Sequence, residues 1–278
     1  MSTLIELETG RSRAVVAPQR GGMLTAWEVD GAPLVYLDQA TFDDAMKNVR
    51  GGAPVLFPSP GKLTEDAYAI DGRAGSLKQH GFARNTAFQV AERSASSVKL
   101  VARSTEETRR AWPWDVRLEL AYTLTEDTLR IGHVVTNEST TPMPFGFGFH
   151  PYFLCSQADK AAARVPTAAR RAFDNVTKTD VDVPERGVDL TAKEVDLHLH
   201  GHGASSAELV LPTRRIRVDA SHEYGHWVIW TLSGRDFVCL EPWTSPGNAL
   251  NTGVDLIRLP PGEARAMFVA FSVAKVDG

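Results

Sequence analysis

Cysteine is nearly missing from this chain: Cys155 and Cys239 are the only two in 278 residues, far apart in sequence. That scarcity argues against a disulfide framework and fits a reducing compartment. No uninterrupted apolar stretch approaches the ~18 residues of a membrane-spanning helix. The opening MSTLIELETGRSRAVVAP also lacks the basic and apolar regions of a secretory leader. The expectation is a cytoplasmic protein, in which the sequons at Asn137 and Asn175 carry no meaning. Blocks of like charge are absent as well. Thirty basic and 34 acidic side chains leave a net charge of −4, which offers no footing for nucleic acid or an acidic membrane. Amphipathic helical patterns are scarce, apart from a short helical turn expected at Thr41 to Lys47 with Thr41 as its cap.

What fills the chain is alternation of apolar and polar residues, the period of half-buried strands. From Thr3 to Leu37 it is broken by turn residues at Thr9-Gly10, Arg20-Gly21-Gly22 and Asp30-Gly31, as in successive hairpins. It returns at Val98 to Ala102, Val116 to Leu124 and Leu129 to Val135, the last two joined by a turn at Thr125 to Asp127. Later strands are expected at Glu208 to Leu211, Ile216 to Asp219, Trp227 to Leu232, Phe237 to Glu241 and Met267 to Val273. The Ala-rich stretch Ala158 to Ala172 is the least strand-like, with Arg164, Arg170 and Arg171 facing solvent. No repeat or linker interrupts the pattern, so residues 1–278 read as one all-β domain, a large antiparallel β-sandwich.

Several motifs fit chemistry in spelling but not in context. His222-Glu223-Tyr224-Gly225-His226 spells HExxH, a zinc motif that requires a helix. Gly225 inside it and the strand-forming flanks favour a loop entering a strand. His198, His200 and His202 alternate and would share a face of an extended segment, yet Gly201 and Gly203 suggest a flexible surface turn. No metal is expected. No GxSxG nucleophile elbow is present, and a free cysteine is more often packing than nucleophile. Trp112, Trp114 and Trp243 could stack on a ligand face, though burial is the commoner fate of tryptophan.

Three polar islands remain: KQHGFARN at Lys78 to Asn85, FGFGFHPYF at Phe145 to Phe153, and LEPWTSPGNALNTG at Leu240 to Gly253. Gly81, Gly146 and Gly148 permit close backbone approach beside His80 and His150. Glu241 ends an apolar strand before Pro242, which removes a donor and should end the pairing. Beside Leu240 and Trp243 its carboxyl would be partly desolvated and made a stronger base. Two histidines and one glutamate could supply a general acid and a general base.

Together RGGAPVLFPSPGKL, QHGFARN, VTNES, MPFGFGFHPYF and CLEPWTSPGNALNTG resemble, in order, the aldose 1-epimerases or mutarotases. The resemblance implies a galactose-mutarotase-like supersandwich that interconverts anomers of a free sugar without a cofactor. It implies that Glu241 takes the proton of the anomeric hydroxyl while His150 protonates the ring oxygen, with His80 assisting at the ring oxygen. Asp196 falls where the family holds sugar hydroxyls. Lys62 stands where many relatives have arginine, and lysine is a point donor without the planar fork. Arg50 and Arg84 resemble arginines that the hexose-6-phosphate branch uses to hold phosphate, whereas EPWTSPGNALNTG resembles the branch for free sugars. The expected partner is a sugar or sugar phosphate, and the chain a monomer or weak homodimer. Two other readings stay open: a carbohydrate-binding or regulatory module without turnover, and a hydrolase or lyase. The second would need another catalytic carboxylate, which the sequence does not identify.

Overall fold

The alternation at Val116–Leu124 becomes an interior strand of a seven-stranded antiparallel sheet. Its spatial order is Ser206–Val210, Arg214–Ala220, Ala264–Lys275, Thr128–Asn137, Val116–Leu124, Ser97–Arg103 and Gln89–Arg93. The hairpin foreseen at Thr125 to Asp127 closes with Thr125 N–H donating to Thr128 O at 2.8 Å, and Leu124 pairs with Leu129. The computed structural model describes residues 4–185 and 187–276, so Thr3, the first residue of the expected strand run, lies outside the described residues. The N-terminal hairpins are a four-stranded sheet, Ile5–Thr9, Ser12–Ala17, Met23–Val29 and Ala32–Pro33.

A second large sheet, of eight strands, carries the polar islands. Its order is Thr179–Asp182, Arg171–Asp174, Glu194–His200, His226–Leu232, Phe237–Trp243, Gly148–Phe149 and Val55–Leu56, with Tyr152–Leu154 also paired to Phe237–Trp243. Period two divides every strand between two faces. Leu199, Ile229, Val238 and Leu240 from this sheet share one apolar cluster with Leu118, Tyr122, Ile131 and Phe271 from the other. Removing each such side chain from water contributes ~1.5–3 kcal/mol, which fixes which face looks inward. The opposite face is thereby obliged to present Asp196, His198, Val228, Trp230, Cys239, Glu241 and Trp243.

Two local expectations are corrected. The short helix spans Gln39–Asp43, and its cap is Asp38, whose carboxylate accepts from Thr41 N–H at 3.2 Å. Thr41 had been expected to cap; a carboxylate three residues earlier reaches the free amide first. A further helix, Glu106–Ala111, is capped by a reciprocal Thr105 and Thr108 pair. Pro242 does not end its strand, which runs to Trp243 and pairs from Cys239 to Trp243 with His226 to Trp230. On the other side Cys239 pairs with Tyr152 and Trp243 with Gly148. The missing amide of Pro242 therefore falls in the interval between those two partners, where no ladder bond is lost.

Candidate active site

That interval builds the site. Between Phe149 and Tyr152 the chain leaves the ladder, and His150 N–H donates instead to Pro54 O at 3.0 Å. The imidazole is left against Glu241, with His150 Nε2 and Glu241 Oε1 3.4 Å apart. The His150 ring stacks on Tyr152 at 4.8 Å and 12°, which fixes its plane. Glu241 is 2% exposed, and its other oxygen accepts from Trp243 Nε1–H at 3.2 Å.

His80 arrives from a different turn. Its φ is 72° and that of Gly81 is 66°, and a Cβ on Gly81 would lie 2.1 Å from Phe57 O. Only glycine tolerates that approach. His80 Nδ1 meets Pro60 O; a carbonyl only accepts, so Nδ1 carries the proton and Nε2 keeps its lone pair. The His80 and His150 rings stand 5.5 Å apart and nearly perpendicular.

Electrostatics follow from burial. Loss of water pushes Glu241 well above the usual carboxylate range, and the Asp196 charge pushes the same way. Burial, then His80 and Arg84, hold His150 well below its ordinary value. Burial brings His80 down to about 4, Arg84 adding to it. Desolvation thus favours the uncharged form of all three groups.

All seven residues singled out in the sequence border one cavity of about 1320 Å³. Asp196 accepts from Asn175 Nδ2–H at 2.7 Å and lies 3.4 Å from His198 Nε2. Burial raises its carboxyl, but the contacts with His198 and Asn175 outweigh it and leave the group below its ordinary value. Arg50 is exposed at the rim, and Lys62 stands beside Asn248, whose N–H donates to Lys62 O at 2.8 Å. Arg84 is partly buried; its Nε is sealed from solvent with no hydrogen-bond partner among the described residues.

The structure corrects the reading of the three alternating histidines as a surface cluster. The strand Glu194–His200 ends before Gly201, so His198 lines the cavity with its ring 5.1 Å from that of Trp243. His200 is exposed and pairs with Asp180 at 2.9 Å. His202 is buried elsewhere, between Thr167 Oγ1 and Ser206 O. The signal was available in the period-two series Glu194, Asp196, His198, His200. Tyr152 and Trp230 also border the cavity and were missed, because aromatic residues in strands read as core. Trp112 and Trp114 are core residues, which leaves Trp243 as the cavity tryptophan among the three considered. The HExxH segment is a turn followed by the strand His226–Leu232, with His226 paired to Asp255, so its two histidines do not sit one helical turn apart.

A stacked pair of antiparallel sheets with an acid and base candidate on one outer face defines a galactose-mutarotase-like fold. Residues 3–272 match the family model described as aldose 1-epimerase, and the chain belongs to that family. It is 34% identical to the Slr1438 protein of Synechocystis sp. PCC 6803, whose crystal structure superposes with a TM-score of 0.95 over 99% of this chain and 97% of that one. The chromosomal LacX protein of Lactococcus lactis subsp. lactis is 28% identical over 263 residues, 84% of this chain and 85% of LacX. A Cenchrus ciliaris protein named "Putative glucose-6-phosphate 1-epimerase" is 27% identical over 247 residues, 83% of this chain and 67% of that protein.

Proposed function

We propose that the chain is a single-domain aldose 1-epimerase that interconverts the α and β anomers of an aldohexose or hexose 6-phosphate by opening and reclosing the ring. The observation that carries this reading is the 3.4 Å contact of His150 Nε2 with Glu241 Oε1 in the wall of a cavity with ample room for a sugar. In the cyclic sugar the hydroxyl and ring oxygens share the anomeric carbon, so an acid and a base for them must sit side by side. Glu241 as carboxylate takes the hydroxyl proton, the carbonyl forms, the ring bond breaks, and His150 as imidazolium gives its proton to the ring oxygen. After rotation about the C1–C2 bond, Glu241 returns its proton and His150 recovers one, on the other face of the carbonyl. Acid and base each contribute on the order of 10²–10⁴-fold, and fixed orientation supplies more.

The pair holds one proton before and after each half-reaction. Carboxylate with imidazolium opens the ring; carboxylic acid with neutral imidazole closes it. Burial favours the second arrangement in the empty cavity, since it pushes Glu241 up and His150 down. His80, with its proton on Nδ1, offers Nε2 as an acceptor. It therefore positions a sugar hydroxyl, where the family resemblance implied help to the acid. Asp196 and Lys62 hold further hydroxyls, and Arg84 with Arg50, both bordering the cavity, suits an anionic substituent. A binding module would gain nothing from burying a carboxyl and an imidazole together, because neither is then available as a charge.

Polarimetry and NMR exchange on fresh α-glucose, α-galactose and glucose 6-phosphate test the reading. Faster equilibration of at least one sugar is expected. No acceleration of any would favour the binding module.

A further inference from the structure

The sulfur of Cys239 lies beneath the proposed acid and base, and the reaction has no use for it. Cys239 and Glu241 are two apart on one strand and share its cavity-side face, while Val238 and Leu240 face the core. A ligand atom from each of Cys239, His150 and Glu241 lies within 4.8 Å of the other two. A tetrahedral zinc ion with bonds of ~2.0–2.3 Å needs donors about 3.3–3.7 Å apart. The His150 and Glu241 edge, at 3.4 Å, already has that length. The thiol has to close by at most about 1–1.5 Å, a small movement for a side chain.

We propose that Cys239, His150 and Glu241 form a site for one thiophilic divalent cation, such as zinc or cadmium, which blocks the cavity's proton-transfer pair when bound. Soft thiolate, imidazole and carboxylate form a donor set that suits these ions far better than magnesium or calcium. The cation arrives through the cavity, which His150 and Glu241 border, and the cavity fills its fourth position. Binding releases two protons, one from the Cys239 thiol and the one shared by His150 and Glu241. Charges around the site divide: Asp196 acts on both Glu241 and Cys239 and favours a cation, while Lys160, Arg84 and Arg50 oppose it. The ion is thus an inhibitor that competes with sugar, distinct from any cofactor role.

The binding stands apart from the mutarotase reading; only the inhibition rests on it. Cadmium titration of the intact protein, followed by its thiolate charge-transfer absorption and by calorimetry, should give one equivalent bound. The band should vanish in Cys239→Ala and persist in Cys155→Ala, which removes the other thiol. A band that survives in Cys239→Ala, or one lost only in Cys155→Ala, overturns the proposal. X-ray absorption of the zinc-loaded wild type avoids any folding defect of the variant. One sulfur at about 2.3 Å with nitrogen and oxygen near 2.0–2.1 Å is expected, and a shell without sulfur refutes the site. If a sugar is turned over, zinc should raise its apparent KM and leave Cys239→Ala at least tenfold less sensitive. Equal zinc sensitivity of both proteins refutes the proposed block. Metal binding without turnover of any sugar would instead count against the function and leave the site standing.

Discussion

Acidification and alkalinisation should both destabilise this protein, with the greatest stability near pH 6.5. Three buried histidines set the acid side. Burial brings His80 and His133 each from 6.5 down to about 4, and holds His150 well below 6.5. A histidine with a depressed folded value contributes stability that is full above 6.5 and lost as pH falls toward the folded value. Glu241 acts in the opposite sense. Its folded value is raised well above 4.5, so its contribution is full below 4.5 and lost as pH rises. Between about pH 4.5 and 6.5 the unfolded chain binds two more protons than the native state at His80 and His133, with His150 adding to that excess and Glu241 subtracting from it. Stability should then rise by about 2.7 kcal/mol per pH unit. Above 6.5 the histidines drop out of the balance, and the raised Glu241 makes stability decline as pH rises. Urea unfolding at half-unit intervals from pH 5 to 8.5, with wild type and Glu241→Gln, measures both limbs. The variant should keep the acid limb and lose the alkaline decline. A flat profile between pH 5 and 6.5, or an unchanged alkaline decline in Glu241→Gln, would refute the assignment of uncharged buried groups.

Asp196→Asn removes a negative charge that raises the Glu241 proton affinity. The pair should lose its working proton at lower pH, and the alkaline limb of the kcat/KM profile should move down; an upward move contradicts the electrostatics. Arg84→Ala and Arg50→Ala should cost glucose 6-phosphate at least tenfold in kcat/KM and α-glucose little, from the loss of charge-assisted bonds worth ~1.5–3 kcal/mol. Equal losses on both would remove the phosphate role. Gly81→Ala, which meets Phe57 O at 2.1 Å at a φ of 66°, should lower stability by about 1–3 kcal/mol and impair turnover through His80. Chemical denaturation and initial rates check both effects.

The strands were legible because their period of two survives in the sequence. Val116 to Leu124 was read to the residue, and most others differed by one to three at their ends. The division of faces was legible in principle too, yet aromatic and histidine residues on the cavity face were assigned to packing or solvent. His198 is the instructive miss. The glycine beyond it was taken to govern the whole segment, when it lies just past the strand end. Pro242 misled for a related reason: its missing donor matters only where a partner strand needs it, and that depends on chain from Phe149 to Tyr152, some 90 residues earlier in sequence. The meeting of His80, His150 and Glu241 rests on the same long-range registers. Local pattern shows each island but not their distance from one another, and only the family resemblance joined them beforehand.

The central claim is that Glu241 and His150 exchange protons with the two oxygens on a sugar's anomeric carbon. Two-dimensional exchange NMR of α- and β-anomers, with wild type and Glu241→Gln at pH 7, tests it most directly. Catalysed exchange of at least one aldohexose or its 6-phosphate is expected, reduced by roughly 10²–10⁴-fold in the variant while the variant remains folded. Exchange that Glu241→Gln sustains at the wild-type rate would contradict it.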